Sequence, residues 1–308
     1  MPESVMFVQF PHPGPEHRPT GPWMDWNRRD HARKFLKAEG SYISNGQVRT
    51  GSFAFWGEWE PQSRVIGTFP EAGGGYPRWL HEPYWQVPSH RRLLQNTDPL
   101  VFGEHFLYSN CRQQNNRKLR ELAPGSLIVF GSKVDGEFVL DTVFVVGDSS
   151  RLFTQESAEE IDCDDWVRAV VFDPLSRSPK RVNEPFRLYS GRSYDEAPTG
   201  PFSFVPCRPY VEGGSAFPRL TLRLPRRRIT PNLTQGAKAT PASQAEIMEL
   251  WDEILEQIAQ AGLSLGVRLD PPPRQAAVQE RQEHEEAEHR ARQNHNCSGS
   301  RVPCTAVC

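Results

Sequence analysis

The chain has 308 residues, enough to bury a substantial core as one large domain or two. Hydrophobic residues make up 37%, aromatics 10% and charged residues 24%, and a net charge of -2 gives no bulk attraction to nucleic acid or anionic membrane. Proline (28) and glycine (23) imply many turns and disfavour a purely helical bundle, and no apolar run approaches the ~18–20 residues of a membrane span. The first eight residues lack the basic start and long apolar stretch of a secretory signal, so the cytoplasm is the expected compartment. Cys111, Cys163 and Cys207 then read as reduced, small core residues.

Residues 5–10 are a short apolar run that stops at Pro11 and predict a first strand. The proline-spaced loop that follows carries His12, Glu16 and His17, held with little backbone freedom. It is either a positioned acid/base or ligand loop, or a surface loop with incidental histidines. Residues 25–38 predict a helix, with Asn27 as N-cap, His31, Phe35 and Ala38 on one stripe, and Gly40 as the stop. Arg28, Arg29, Arg33, Lys34 and Lys37 cover its other surface, as a solvated face or as phosphate contacts.

Residues 52–61, Ser-Phe-Ala-Phe-Trp-Gly-Glu-Trp-Glu-Pro, predict a strand ending at a proline turn. Alternation places Phe53 and Phe55 on one face and Trp56, Glu58 and Glu60 on the other. Trp59 falls opposite that second group unless a twist or bulge at Gly57 brings it round. From 64 to 108 regular periodicity disappears, and five prolines, many aromatics, His81, His90 and His105 suggest an ordered loop region able to cover a pocket. Residues 110–122 predict a second helix capped by Asn110.

Residues 126–131 and 137–147 are the clearest strands, joined through Asp135-Gly136 as a hairpin. Asp141 in the middle of the second strand is either outward-facing or buried with a partner. Strands are also expected at 166–172, 186–190 and 218–224, with a Gly/Pro/Ser-rich loop over 190–214. Between 219 and 238 lie Arg219, Arg223, Arg226, Arg227, Arg228 and Lys238 with no acid among them, a nucleic-acid contact or a solvated linker. Residues 240–261 predict an amphipathic helix with Ser243 and Glu246 as a capping box, and 263–269 a last strand. The expected organisation is one globular domain over 1–273 and a charged flexible tail over 274–308, whose Cys297, Cys304, Cys308 and His295 lack common zinc spacing.

Phosphate-loop, dinucleotide-loop, nucleophile-elbow and helical zinc motifs are all missing, so the sequence calls for no metal or cofactor. What remains is His12, Glu16, His17, His31, Glu58 and Glu60, which converge on one cleft if strands 5–10 and 52–61 are neighbours. In a first reading the cleft recognises a nucleobase or nucleotide, free or in modified nucleic acid. Trp56 and Trp59 would stack, Glu58, Glu60, His31 and Asp141 would line the pocket, and Arg226, Arg227 and Arg228 would contact phosphate. In the alternative, His12, His17 and Glu58 serve a metal- or acid/base-dependent hydrolase or nucleotide-processing enzyme.

The Pro-Gly-Ser-Leu-Ile-Val-Phe-Gly start to the hairpin and the following Phe-Val-Leu-Asp-Thr-Val strand resemble the small barrels of the PUA-like group, which includes the ASCH and EVE domains. The resemblance covers about a third of the chain. It implies an α+β fold with a mixed or antiparallel barrel-like sheet, flanking helices and long ordered loops, holding a modified base or nucleotide between aromatics. The Phe-Trp-Gly-Glu-Trp-Glu-Pro segment is also similar to one found in uncharacterised bacterial proteins.

Overall fold

Two short turns that need positive φ begin most of the architecture. Asp135 and Gly136 (φ 49 and 86) close one hairpin, and Asn45 and Gly46 (φ 51 and 73) close another. The computed structural model describes residues 4–24, 26–27, 31–70, 75–87, 94–178, 184–214 and 216–276. By Cα proximity the chain divides into a unit Met1–Pro272 and a unit Pro273–Cys308. The tail and its cysteines lie almost wholly outside the described residues.

The first unit is α+β and mostly sheet. Its strands are β1 (Met6–His12), β2 (Trp23–Met24), β3 (Lys34–Ser44), β4 (Gln47–Gly57), β5 (Ser63–Thr68), β6 (Trp79–Pro83) and β7 (Leu107–Tyr108), then β8 (Leu127–Val134), β9 (Glu137–Phe153), β10 (Phe186–Gly191), β11 (Val205–Pro209), β12 (Leu220–Thr221), β13 (Lys238–Pro241) and β14 (Ser264–Leu269). One seven-stranded sheet runs β13-β1-β8-β9-β10-β7, with β12 on β9. The other runs β14-β11-β4-β3-β6-β5-β2, and β14 also pairs with β3. Strands β3, β4, β11 and β14 therefore form a closed circuit. A helical run over 165–176, α1, and the helix α2 (Gln244–Gln260) complete it, α2 starting at the Ser243–Glu246 capping box.

Pairing places the functional side chains. Strand β1 lies parallel to β8, with Phe10 opposite Phe130 and His12 opposite Ser132. A register shift between Phe130 and Gly131 bends the β8–β9 hairpin, where a Cβ on Gly131 would sit 2.0 Å from the Val139 carbonyl oxygen. Only glycine fits there. In β4, Phe53 and Phe55 enter the main core while Ala54 and Trp56 enter a second cluster with Phe35, Leu80 and Phe217.

Several expectations change. The helix over 25–38 is replaced, in its described part, by the start of β3; the Asn45–Gly46 turn pairs Phe35 with Trp56 and Ala38 with Phe53, so hairpin formation overrides the helical spacing. The helix over 110–122 reduces to a 3₁₀ turn at Arg117–Arg120, because Asp98 accepts the backbone N–H groups of Ser109, Asn110 and Cys111 and Arg112 has φ 60. The strand expected at 166–172 is helical. Its residues Ala169 to Phe172 are buried all round, and a short run buried on every side has no period to read. The region 64–108 contains β6, β7 and most of β5, strand 137–147 extends to Phe153, and strand 218–224 shrinks to Leu220–Thr221.

Candidate functional site

Five chain segments bring a polar cluster into an otherwise apolar interior. The end of β1 supplies His12, and the segment before β3 supplies His31 and Arg33. The turn after β4 supplies Glu58 and Glu60, β9 supplies Asp141, and the chain between β6 and β8 supplies Asp98 and Cys111. The proline loop is locked beside Arg33: His17 N–H donates to the Arg33 carbonyl at 2.8 Å, and Arg33 N–H donates to the Pro15 carbonyl at 2.9 Å.

Arg33, 1% exposed, is the hub. Its Nη1 lies 2.6 Å from Glu58 Oε2 and its Nε 3.0 Å from Asp141 Oδ2. Asp141 also accepts from the Ser132 hydroxyl at 3.3 Å and lies 3.9 Å from Arg219 Nε. Glu58 Oε2 is 3.0 Å from His12 Nδ1, a close contact angled off a well-formed hydrogen bond. Its Oε1 accepts the Asp98 N–H at 3.1 Å. The other imidazole nitrogen, His12 Nε2, is 3.3 Å from the Sγ of Cys111, which is partly exposed. The His31 ring stacks beside His12, with centroids 6.2 Å apart, and His31 Nδ1 is 3.0 Å from Glu60 Oε1 and 3.9 Å from Glu58 Oε1. His31, Glu58 and Glu60 are the one group of potential metal ligands found among the described residues, with ligand atoms within 4.8 Å of one another.

Burial and charge set the protonation states. Burial lowers the His12 pKa, and Glu58 only partly offsets it. Burial raises the Cys111 thiol well above its usual value, helped by the negative charges of Asp98 and Glu58. The resting pair is therefore neutral thiol and neutral imidazole. Burial would raise Glu58, but Arg33 and then His12 reverse this and hold it well below the ordinary carboxylate range. Glu60 moves up, through burial and the charge of Glu58. Burial opposes charge on His31, yet the Glu60 hydrogen bond and both carboxylate charges prevail and raise it. Asp98 is pushed up to about 7 by burial, against its three backbone donors.

Other sequence-nominated residues fall elsewhere. His17 faces His81, with ring centroids 6.4 Å apart, beside the buried Lys34. Burial, then the Lys34 charge, lowers His17 to about 4 and His81 to about 3. Trp59 is fully buried on the side of Phe55, both rings against Phe102, and its Nε1 donates to the Gln62 carbonyl. Trp56 is 3% exposed, with Phe35 against its ring and the Arg219 guanidinium 4.3 Å over it. Trp59 has no exposed face for a ligand, which corrects the stacking role expected of it, while Trp56 reaches the lining of a cavity beside Arg219. Arg228 is buried and bonded to Thr240, Pro241 and Glu246, so it anchors the start of α2, while Arg226 and Arg227 are exposed.

A cavity of ≈ 470 Å³ lies on the other side of Arg219, lined by Glu16, Arg18, Trp56, Tyr76, Arg78, Trp79 and Arg219 among others. The charge chain Arg219–Asp141–Arg33–Glu58 connects this cavity to His12. Sequence reasoning missed Cys111, Asp98, Arg33 and Arg219 as members of one site. A buried-looking Cys in a polar stretch, and charged residues directly beside apolar strand positions, were the only local signals. Among the described residues no helix is long and apolar enough to cross a membrane. In comparison with known proteins, no family model, no curated protein and no solved structure matches the chain.

Proposed function

We propose that the chain is an enzyme in which Cys111 is the nucleophile, His12 its base and Glu58 the group that orients the base. The carrying observation is one line of contacts: Cys111 Sγ to His12 Nε2 at 3.3 Å, and His12 Nδ1 to Glu58 Oε2 at 3.0 Å. Nucleophile, base and orienting carboxylate in this order suit covalent catalysis. Because thiol and imidazole are both neutral at rest, Nε2 takes the thiol proton as sulfur bonds to an electrophilic carbon. Glu58 stabilises the imidazolium that forms. The leaving group departs with the Nε2 proton, and a water activated in the same way releases the bound fragment. Among the residues nominated from sequence, this reading keeps His12 and Glu58 and leaves out His17.

The test follows alkylation of each cysteine by iodoacetamide with mass-spectrometric readout. Cys111 modification is expected to slow about a hundredfold or more in His12→Ala, while Cys163 modification stays unchanged. Equal Cys111 rates in wild type and His12→Ala would reject the assignment.

A second reading, recognition of a nucleobase or nucleotide with the barrel-like sheet implied by the PUA-like resemblance, is favoured by the ≈ 470 Å³ cavity. Three arginines line it for an anionic group, and the partly exposed Trp79 and the exposed Tyr76 offer rings for a planar one. Trp56 here serves to back the Arg219 guanidinium, which also donates to the Gly14 carbonyl at 2.9 Å. Calorimetric titration with a nucleoside monophosphate is expected to give an affinity that falls about tenfold or more in Arg219→Met. Unaltered affinity in that variant would remove the cavity from the reading.

A further inference from the structure

We infer that His31, Glu58 and Glu60 form a binding site for one divalent first-row cation, of the carboxylate-preferring kind typified by Mn²⁺. The donor set is one imidazole and two carboxylates, with ligand atoms within 4.8 Å of one another. The separations already have the scale of a coordination polyhedron: His31 Nδ1 is 3.0 Å from Glu60 Oε1 and 3.9 Å from Glu58 Oε1. Ligands about 2.0–2.2 Å from a shared ion stand roughly 3–3.5 Å apart, so the His31–Glu60 edge fits as it stands and the Glu58 carboxylate, 3.9 Å from His31, has to move in toward the other two. The proton that now lies between His31 Nδ1 and Glu60 is what the ion would replace.

An independent observation points the same way. Glu60 is 0% exposed, and its second oxygen, Oε2, has no hydrogen-bond partner. A buried carboxylate oxygen left in this way costs free energy unless a cation or donor reaches it. The two oxygens of Glu58 have separate tasks: Oε2 meets Arg33 and His12, while Oε1 accepts the Asp98 N–H and lies on the side of His31, where a carboxylate oxygen's second lone pair can serve an ion. Arg33 and His12 would thus hold a ligand's orientation from outside the ion's own shell. The His31 side chain is 33% exposed, which gives the ion a way in and leaves coordination positions open to water. The inference does not depend on Cys111 chemistry.

The test is titration of the full-length chain with Mn²⁺ alone, followed by electron paramagnetic resonance. Mn²⁺ favours carboxylate over thiolate, which keeps the cysteines from competing. One Mn²⁺ per chain is expected in wild type, with affinity reduced about tenfold or more in both Glu60→Gln and His31→Ala. His31 is partly exposed, so His31→Ala retains the fold even where Glu60→Gln does not. Cys111→Ser is expected to bind like wild type, which separates this result from any outcome of the alkylation experiment. Absence of stoichiometric binding in wild type overturns the inference, as does wild-type affinity in His31→Ala.

Discussion

Arg33→Met is expected to destabilise the fold by about 3–5 kcal/mol, the largest loss among single changes at the site. Arg33 is 1% exposed and makes its contacts to Glu58 and Asp141 at 2.6 and 3.0 Å. Removing the guanidinium leaves both carboxylates buried without their main counter-charge. Desolvation of an ion is tolerated only while a partner of opposite charge is present, so the loss exceeds the worth of the hydrogen bonds themselves. Methionine fills much of the volume, which limits the cavity contribution and isolates the charge. Urea unfolding of wild type and variant at neutral pH measures the difference. A loss under about 1 kcal/mol would mean that Arg33 is not the hub of the network.

Lys34→Met is expected to act in the opposite direction. Lys34 is 0% exposed, and its Nζ donates to the Pro61 carbonyl at 2.9 Å. Burial lowers its pKa from 10.5 to about 7, with the Glu60 charge pulling the other way. The sign follows from linkage: the unfolded chain binds this proton more tightly, so the ammonium destabilises the fold at and below pH 7. The gap between 10.5 and about 7 corresponds to roughly 3–5 kcal/mol. That penalty fades as pH rises from about 7 to 10.5, where both states become neutral. Lys34→Met should therefore be several kcal/mol more stable than wild type at pH 6, less about 1 kcal/mol for the lost hydrogen bond. The advantage should vanish near pH 10. Denaturation midpoints at pH 6, 8 and 10 test this, and a pH-independent difference between the two proteins would exclude a titrating Lys34. The same ammonium is a cause of the depressed His17 and His81 pKa values, so the variant should raise both imidazole titrations, as followed by NMR.

Local chemistry explains which elements were legible. Asp135-Gly136 and Ser243 with Glu246 signal a turn and a helix start through their own backbone hydrogen bonds, so the β8–β9 hairpin and α2 could be read from the chain alone. Asn45-Gly46 carried the same kind of signal for β3–β4, but the i, i+4 spacing of His31 and Phe35 concealed it. The stretch at 110–122 has helical composition, yet a carboxylate from Asp98, distant in sequence, captures its first N–H groups. No local pattern reports that.

The candidate site shows the same division. The sequence pattern set His12 just beyond the first strand, but it put Glu58 and Glu60 inside a strand over 52–61, whereas β4 ends at Gly57 and both carboxylates follow it. It also determined the alternation that sends Phe55 and Trp56 to different clusters. Long-range packing brings His12 to Cys111, 99 positions away, and makes Arg33 an interior counter-charge rather than part of a basic surface. It also set the Arg219 guanidinium over the Trp56 ring. The physical reason is that burial and opposite charge set the role of an ionisable side chain. Both come from segments paired across sheets, far apart in the chain.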